Sequence, residues 1–226
     1  MRVEQIAVSP CSKPDMAVDV VLAAYAALGY RNFEVFTSWA KSAFDYRGDP
    51  QFYLAMGRRH GMAFTSMHLP AIAADRLEET LAEAVAAARF ADAIGVAVVL
   101  FKAKDRPTYI NVAPAFLDAV EGLGVTPVIQ NHFGSPLSTL EDVREVYEGI
   151  ADSRLHTLLE VGHFHSAGVD WREAAEYLGD SITLVHLKDQ VGRQSVPFGT
   201  GEIDLAGLFR YLDGKAYDGR YVVEME

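Results

Sequence analysis

Residues 96–132 read VAVVLFKAKDRPTYINVAPAFLDAVEGLGVTPVIQNH. The apolar run Val96–Phe101 gives way to a polar turn at Asp105-Arg106-Pro107. Pro114 to Leu123 then has helical spacing, and a second apolar run opens at Val125 and closes at His132. Runs of this length between turn signals suit strands of a parallel sheet covered on both faces. The same unit recurs in both directions along the chain. Further runs lie at Val3–Val8, Asn32–Phe36, Met62–His68, Leu155–Glu160, Ile182–Leu187 and Tyr221–Met225, their starts 27 to 39 residues apart. The intervals read as helices. Asp15 to Leu28 places Val18, Val21, Leu22 and Tyr25 on one face and stops at Gly29. Asp75 with Glu78, Ser138 with Glu141 and Asp170 with Glu173 have the spacing of helix starts. Pro50 to His60 and Leu205 to Leu212 complete the set.

Eight alternations of strand and helix predict a parallel α/β fold, a compact (β/α)8 TIM barrel forming one domain over residues 1–226. The chain ends in the last strand, so the eighth helix is expected to be missing, leaving apolar surface that a second subunit of a homo-oligomer could cover. A doubly wound open sheet is the alternative. It is disfavoured because the first turn, Ser9-Pro10-Cys11-Ser12-Lys13-Pro14, is no glycine-rich phosphate cradle.

Composition narrows the function. Twenty Lys+Arg against 31 Asp+Glu give a formal charge of −11, which argues against nucleic acid as a partner. One cysteine, Cys11, excludes a disulfide framework and a Cys-rich zinc site, and it is read as inert. No apolar run reaches the roughly 20 residues of a membrane span, and the N-terminus lacks a secretory h-region. The expectation is a cytoplasmic protein that acts on a small molecule.

The unusual polar residues fall at the C-terminal ends of the expected strands, where a barrel carries its chemistry. They are Glu34, His68, Lys102, Gln130, His132, Glu160, His163, His186, Lys188, Glu224 and Glu226. A period of two places Gln130 with His132, His186 with Lys188, and Glu224 with Glu226. Any one such residue is usually solvated or capping. Charges directed into a barrel from successive strands cost several kcal/mol unless paired or metal-bound, so the set as a whole points to a metal or catalytic site.

Several strings are similar to those of a known family. Val185-His186-Leu187-Lys188-Asp189 resembles the HxKD strand of the xylose-isomerase-like sugar isomerase, epimerase and lyase barrels. Pro197 to Asp204 resembles the PLGxGxxD turn, and Tyr217 to Glu224 the YxGxxxxE approach to the last strand. Gln130-Asn131-His132 and Glu160-Val161-Gly162-His163 stand where the family has ENH and DxGH. Ala167 to Asp170 is similar to AGxD, and Tyr30 to Glu34 to GxxxvE. The resemblance implies a divalent metal held by Gln130, Glu160, His186 and Glu224, either Mn²⁺ or Mg²⁺ first, with Zn²⁺ or Co²⁺ as further options. It also implies a carbohydrate substrate, bound by His163 with Arg193, Lys102 and His68 as further candidates. Lys188 and Asp189 are expected to lock their loop through a local ion pair.

Two departures bear on the chemistry. Gln130 stands for the family's Glu and cannot exchange a proton near neutral pH. The paired carboxylates of a two-base epimerase are then incomplete unless His132 or Lys102 supplies the second base. Glu160 stands for Asp, and its extra methylene is expected to push the carboxylate further into the site. His165 could replace Gln130 as a ligand. The leading expectation is an isomerase or epimerase acting through an enediolate, with Glu224 or His132 as base and His163 as hydrogen-bond donor. A lyase or dehydratase on a keto-sugar or keto-acid, and a barrel that has lost turnover, are the alternatives. The abasic-site endonuclease branch of the fold fits His68 but not Lys102.

Overall fold

The computed structural model describes residues 1–225; Glu226, read above as sharing a face with Glu224, lies outside the described residues. Eight parallel strands close into a barrel. They are β1 (Ile6–Val8), β2 (Asn32–Val35), β3 (Ala63–His68), β4 (Val98–Leu100), β5 (Thr126–Gln130), β6 (His156–Glu160), β7 (Ile182–Leu187) and, after a two-stranded hairpin of β8 (Asp189–Val191) and β9 (Gln194–Val196), β10 (Arg220–Val223). The order round the barrel is β1-β10-β7-β6-β5-β4-β3-β2, so β10 pairs with β1 and closes the ring.

The helices outside are α1 (Val18–Ala27), α2 (Pro50–His60), α3 (Leu77–Ala93), α4 (Arg106–Val120), α5 (Leu140–Ile150), α6 (Val161–Ser166), α7 (Trp171–Leu178) and α8 (Leu205–Gly214). No helix follows β10 among the described residues. The hairpin β8–β9 was not anticipated. Its antiparallel pairing of Asp189 with Val196 lies in the stretch between His186 and the glycine-rich turn.

Local chemistry explains the helix boundaries. Asp49 caps α2 by accepting from Gln51 N, Pro50 supplies a preset φ, and Gly61 at φ 62° ends it. The expected span of α4 is corrected. Asp105 accepts from Thr108 N at 2.8 Å, so Asp105-Arg106-Pro107 is the start of a helix and not a turn. Pro114 lies inside α4; burial of Val112, Ala113, Phe116 and Leu117 around it outweighs the missing backbone donor. The cap of α5 falls one residue later than read: Thr139 and Asp142 bond reciprocally. The segment before α3 winds as a 3-10 turn over Ala74–Arg76, and α1 starts at Val18 and not at Asp15.

The strand period of two builds the interior. Ala7, Val98, Leu100, Val128, Leu158, Leu184 and Val222 form a buried apolar cluster inside the barrel. Their neighbours Val99, Ile129, Leu159, Val185 and Tyr221 face outward into the larger core beneath the helices. Two residues beyond Val128, Leu158, Leu184 and Val222 come Gln130, Glu160, His186 and Glu224. Strand alternation therefore lays a polar layer directly on the apolar plug.

The outer core predicts its own test. Phe101 and Phe116 stack at 4.7 Å between ring centroids and are fully buried. Phe116→Ala is expected to cost about 3–5 kcal/mol, read as a lower urea midpoint with an unchanged slope; a loss below about 1 kcal/mol would contradict this account of the packing.

Candidate functional site

His186 is the centre of the polar layer. Its Nε2 lies 3.0 Å from Glu34 Oε2, and its Nδ1 lies 2.8 Å from Glu224 Oε2 and 3.5 Å from Glu160 Oε2. Gln130 Nε2 is also 3.5 Å from Nδ1. All of these residues are buried. Burial, the largest influence, opposes charge on the imidazole, but Glu34 and Glu224 outweigh it and raise its pKa well above the ordinary value. Burial likewise pushes Glu34 up, while His186 and His68 bring it down to about 2. Glu224 is held well below the usual carboxylate range: burial raises it, and His186 more than reverses that.

The longer Glu160 does not simply push into the site. Its Oε1 turns back and accepts from Gly162 N at 2.8 Å and His163 N at 3.3 Å, capping α6. Oε2 is left facing His186 without a hydrogen-bond partner. Asn131 fixes the position from β5: it donates to Glu160 O at 2.8 Å and accepts from Glu160 N at 2.9 Å. Lys188 approaches Glu160 Oε1 at 3.8 Å and His163 Nε2 at 3.4 Å. Its alkyl chain passes where Gly162 has no side chain; a Cβ there would come 2.1 Å from Lys188 Cγ. The expected Lys188–Asp189 lock is therefore replaced. Asp189 instead receives backbone N–H groups of Gln190, Gly199 and Gly201, organising the turn after the hairpin.

Two groups of side chains could hold a metal ion: Glu160, His186 and Glu224, and Glu34, His68 and His186. Hydrogen bonding distinguishes them. Lys102 Nζ lies 2.7 Å from His68 Nδ1, and an ammonium can only donate. Burial, then Lys102, lowers the His68 pKa to about 4, so the ring is neutral and carries its proton on Nε2, facing Glu34 Oε1 at 3.1 Å. A protonated Nε2 is no ligand. Lys102, His68 and Glu34 thus form a brace behind His186, with Ser66 Oγ donating to Glu34 Oε2 at 2.8 Å. The first group fits a divalent cation. Three buried carboxylates face His186 and Lys188, and a divalent ion in place of the imidazolium proton would balance the charge.

A cavity of about 620 Å³ opens above, lined among others by Cys11, His68, Lys102, Gln130, His132 and Glu224. His132 Nδ1 lies 3.0 Å from the carbonyl of Phe133, which can only accept, so a neutral ring has its lone pair on Nε2. Its ring lies 3.8 Å from that of His163. Burial, the largest influence, lowers the His163 pKa to about 4.

Of the residues named from sequence, Gln130, His132, Glu160, His163, His186 and Glu224 are brought together, with His68 beside His186 at 6.1 Å between ring centroids and Lys102 against His68. Arg193 is not. It is exposed in the hairpin turn, its guanidinium 4.4 Å over the Phe133 ring. His165 pairs with Glu202 at 3.2 Å, away from Gln130. Glu34 stands in the sequence as a polar strand end and as the last residue of the GxxxvE-like string, and neither signal assigns it to the site; the structure places it against His186 Nε2 at 3.0 Å. Cys11 was dismissed, yet its Sγ donates to Glu224 Oε1 at 3.4 Å.

A family model described as xylose isomerase-like TIM barrel matches residues 22–226. The chain belongs to the xylose isomerase-like TIM barrel family. Among curated proteins, this barrel is 26% identical over 122 residues to an inosose dehydratase of Clostridium perfringens, a match spanning 46% of this chain and 41% of that enzyme. The match thus spans less than half the length of that curated relative. Among solved structures, it superposes on a D-tagatose 3-epimerase-like protein with a TM-score of 0.81 and 16% identity, covering 98% of this chain and 91% of the other. It also superposes on a protein named IolI solved with a zinc atom, at a TM-score of 0.77 and 16% identity, covering 98% and 88%. The proteins it is similar to thus include one named a dehydratase and one named 3-epimerase-like. No helix among the described residues is long and apolar enough to cross a membrane.

Because Lys188 is seated over Gly162, Gly162→Ala is expected to cost about 1–3 kcal/mol through overpacking. Gly162→Ala combined with Lys188→Ala should recover part of that loss; a double variant no better than the sum of the two single ones would refute the contact.

Proposed function

We propose that this barrel is a metal-dependent dehydratase: it removes the proton beside the carbonyl of a small polyhydroxylated ketone and expels water from the next carbon. What supports this reading above all is a one-sided supply of base. His132 lines the cavity with its Nδ1 proton committed to Phe133, leaving Nε2 to accept a proton. Gln130 occupies the strand-end position from which a second carboxylate would act, and an amide cannot take that role. Glu224 is tied to His186 at 2.8 Å and held well below the usual carboxylate range, which makes it a ligand in preference to a base.

Glu160, His186 and Glu224, with the amide oxygen of Gln130 as a neutral fourth group, would hold a divalent ion, with Mn²⁺ or Mg²⁺ suited to the oxygens and Zn²⁺ or Co²⁺ to the imidazole. When bound it supplies Lewis acidity at the substrate carbonyl. His132 takes the carbon-bound proton, the electron pair forms the new double bond, and the adjacent hydroxyl departs. The proton held on His132 passes to that leaving group, so the products are water and a conjugated enone, and one base serves both steps. Lys188 keeps Glu160 charged, and the ring of His163 packs tilted against that of His132 and positions it.

The test is proton exchange with deuterated water together with ultraviolet absorption, over a panel of ketoses and keto acids with added Mn²⁺. Exchange accompanied by an enone chromophore is expected, and His132→Gln should reduce both by about 10²–10⁴-fold. Exchange with conserved mass would mean isomerisation, and no exchange on any member would reject the proposal. A second expectation concerns the brace behind His186. Glu34→Gln should weaken Mn²⁺ binding about 10–100-fold, measured by calorimetric titration, because the ligand imidazole loses its charged partner; unchanged affinity would show that Glu34 does not orient it.

A further inference from the structure

The loop between β2 and α2 holds Trp39 under two costs at once. Its backbone sits at φ 73°, in the left-handed region that a bulky residue rarely adopts, and the residue is 67% exposed. Ala40 N donates to Ser38 O at 2.9 Å across it, which makes the stretch a tight three-residue turn of the strained hand. The loop is pinned on both sides of that turn. Thr37 Oγ1 donates to His68 O at 2.9 Å, Lys41 N donates to Pro14 O at 2.7 Å, and Phe44 N donates to Phe36 O at 2.7 Å. Ala40, the next residue, is buried in a small apolar cluster with Cys11 and Phe36. Strain of this kind persists only where the surroundings over-determine it, and it gathers at ligand clamps.

Packing within the chain returns little for that strain. The indole meets the Phe36 ring at 5.9 Å between centroids, tilted by 58°. What the turn achieves is a position: Trp39 lines the cavity, together with Phe36, Leu69, Pro70 and Ala71. These belong to the segments after β2 and β3, which are neighbours in the ring, whereas Gln130 and His132 stand at the end of β5 and Glu224 after β10. One stretch of the wall is therefore apolar and aromatic, while the reacting groups enter from other strands. The electron-rich face of an indole attracts the weakly positive hydrogens of C–H bonds. A polyhydroxylated six-membered ring with equatorial hydroxyls offers a flat face of such bonds, and an open chain does not. The cavity, about 620 Å³, is large enough for that ring.

We infer that Trp39 determines specificity: it is the platform on which a cyclic substrate packs its C–H face, leaving the hydroxy-ketone edge toward Gln130, His132 and Glu224. The inference rests on the small-ketone reading above and specifies the substrate as a ring.

Calorimetric titration of the full chain compares scyllo-inositol, a ring whose hydroxyls are all equatorial, with the open-chain polyol D-mannitol. The ring should bind at least about tenfold more tightly. Trp39→Ala should reduce that preference to about threefold or less and leave mannitol binding unchanged, and Trp39→Phe should keep most of it. Trp39→Gly should lose the preference too, yet unfold at a higher urea concentration than Trp39→Ala, because glycine takes a positive φ without strain. In a Trp171→Phe background, Trp39 is the remaining tryptophan of two, and its emission should shift saturably with scyllo-inositol. Equal binding of the two polyols, failure of scyllo-inositol to bind, an emission it does not move, or a ring preference that survives both Trp39→Ala and Trp39→Gly would overturn the inference. A Gly variant no more stable than the Ala variant would remove the strain on which it is argued. Ring preference without proton exchange would sink the dehydratase reading alone. Exchange without ring preference would sink only the role of Trp39.

Discussion

One imidazole held among three carboxylates inside a closed barrel is the constraint around which the rest of this site is arranged. Each of Glu34, Glu160 and Glu224 is buried, and an isolated ionised carboxylate in such a place would neutralise itself by binding a proton. They remain charged because His186 presents a nitrogen to either side and Lys188 reaches Glu160 from the next residue but one. The apolar plug of Val128, Leu158, Leu184 and Val222 beneath fixes where those side chains can point, since each belongs to the same strand face as the polar residue above it. Packing thus sets the geometry, and electrostatics sets the protonation.

That dependence explains what could be read in advance. Strand alternation is a property of the chain, so spacing puts Gln130, Glu160, His186 and Glu224 among the polar residues at the strand ends, and the resemblance to the family singles out these four. Turn chemistry is less readable. Pro114 normally marks a helix start, and here it sits mid-helix because Asp105 offers a better cap upstream and the helix face around it is buried. The α5 cap moved by one residue because Ser138 and Thr139 are both competent, and only Thr139 bonds Asp142 reciprocally. Arg193 was placed by loop position alone, and the β8–β9 hairpin carries it outward onto Phe133.

What spacing cannot convey is which nitrogen of a histidine is occupied. Three histidines in and around the cavity differ in role for that reason alone. His68 accepts from Lys102 and faces Glu34 with its proton, which makes it part of a brace. His132 faces a carbonyl through Nδ1, which in a neutral ring leaves the lone pair on Nε2. His186 contacts carboxylates through both nitrogens. No pattern of residue types distinguishes these cases; the partner atom does, because a carbonyl can only accept and an ammonium can only donate.

The same reasoning connects the two departures from the family pattern. Gln130 removes one negative charge from the ligand layer, and Glu160 diverts one oxygen to the backbone N–H groups of Gly162 and His163. Both changes leave fewer anionic oxygens aimed at the shared centre than three freely directed carboxylates would supply. A less negative layer binds a cation less tightly and leaves it a stronger electron-pair acceptor toward a carbonyl oxygen. It also removes the second base that stereochemical inversion requires. Elimination needs only one base, provided the proton it takes can be returned to the leaving hydroxyl, and the proposed dehydratase chemistry assigns both transfers to His132, at the cavity wall beside His163.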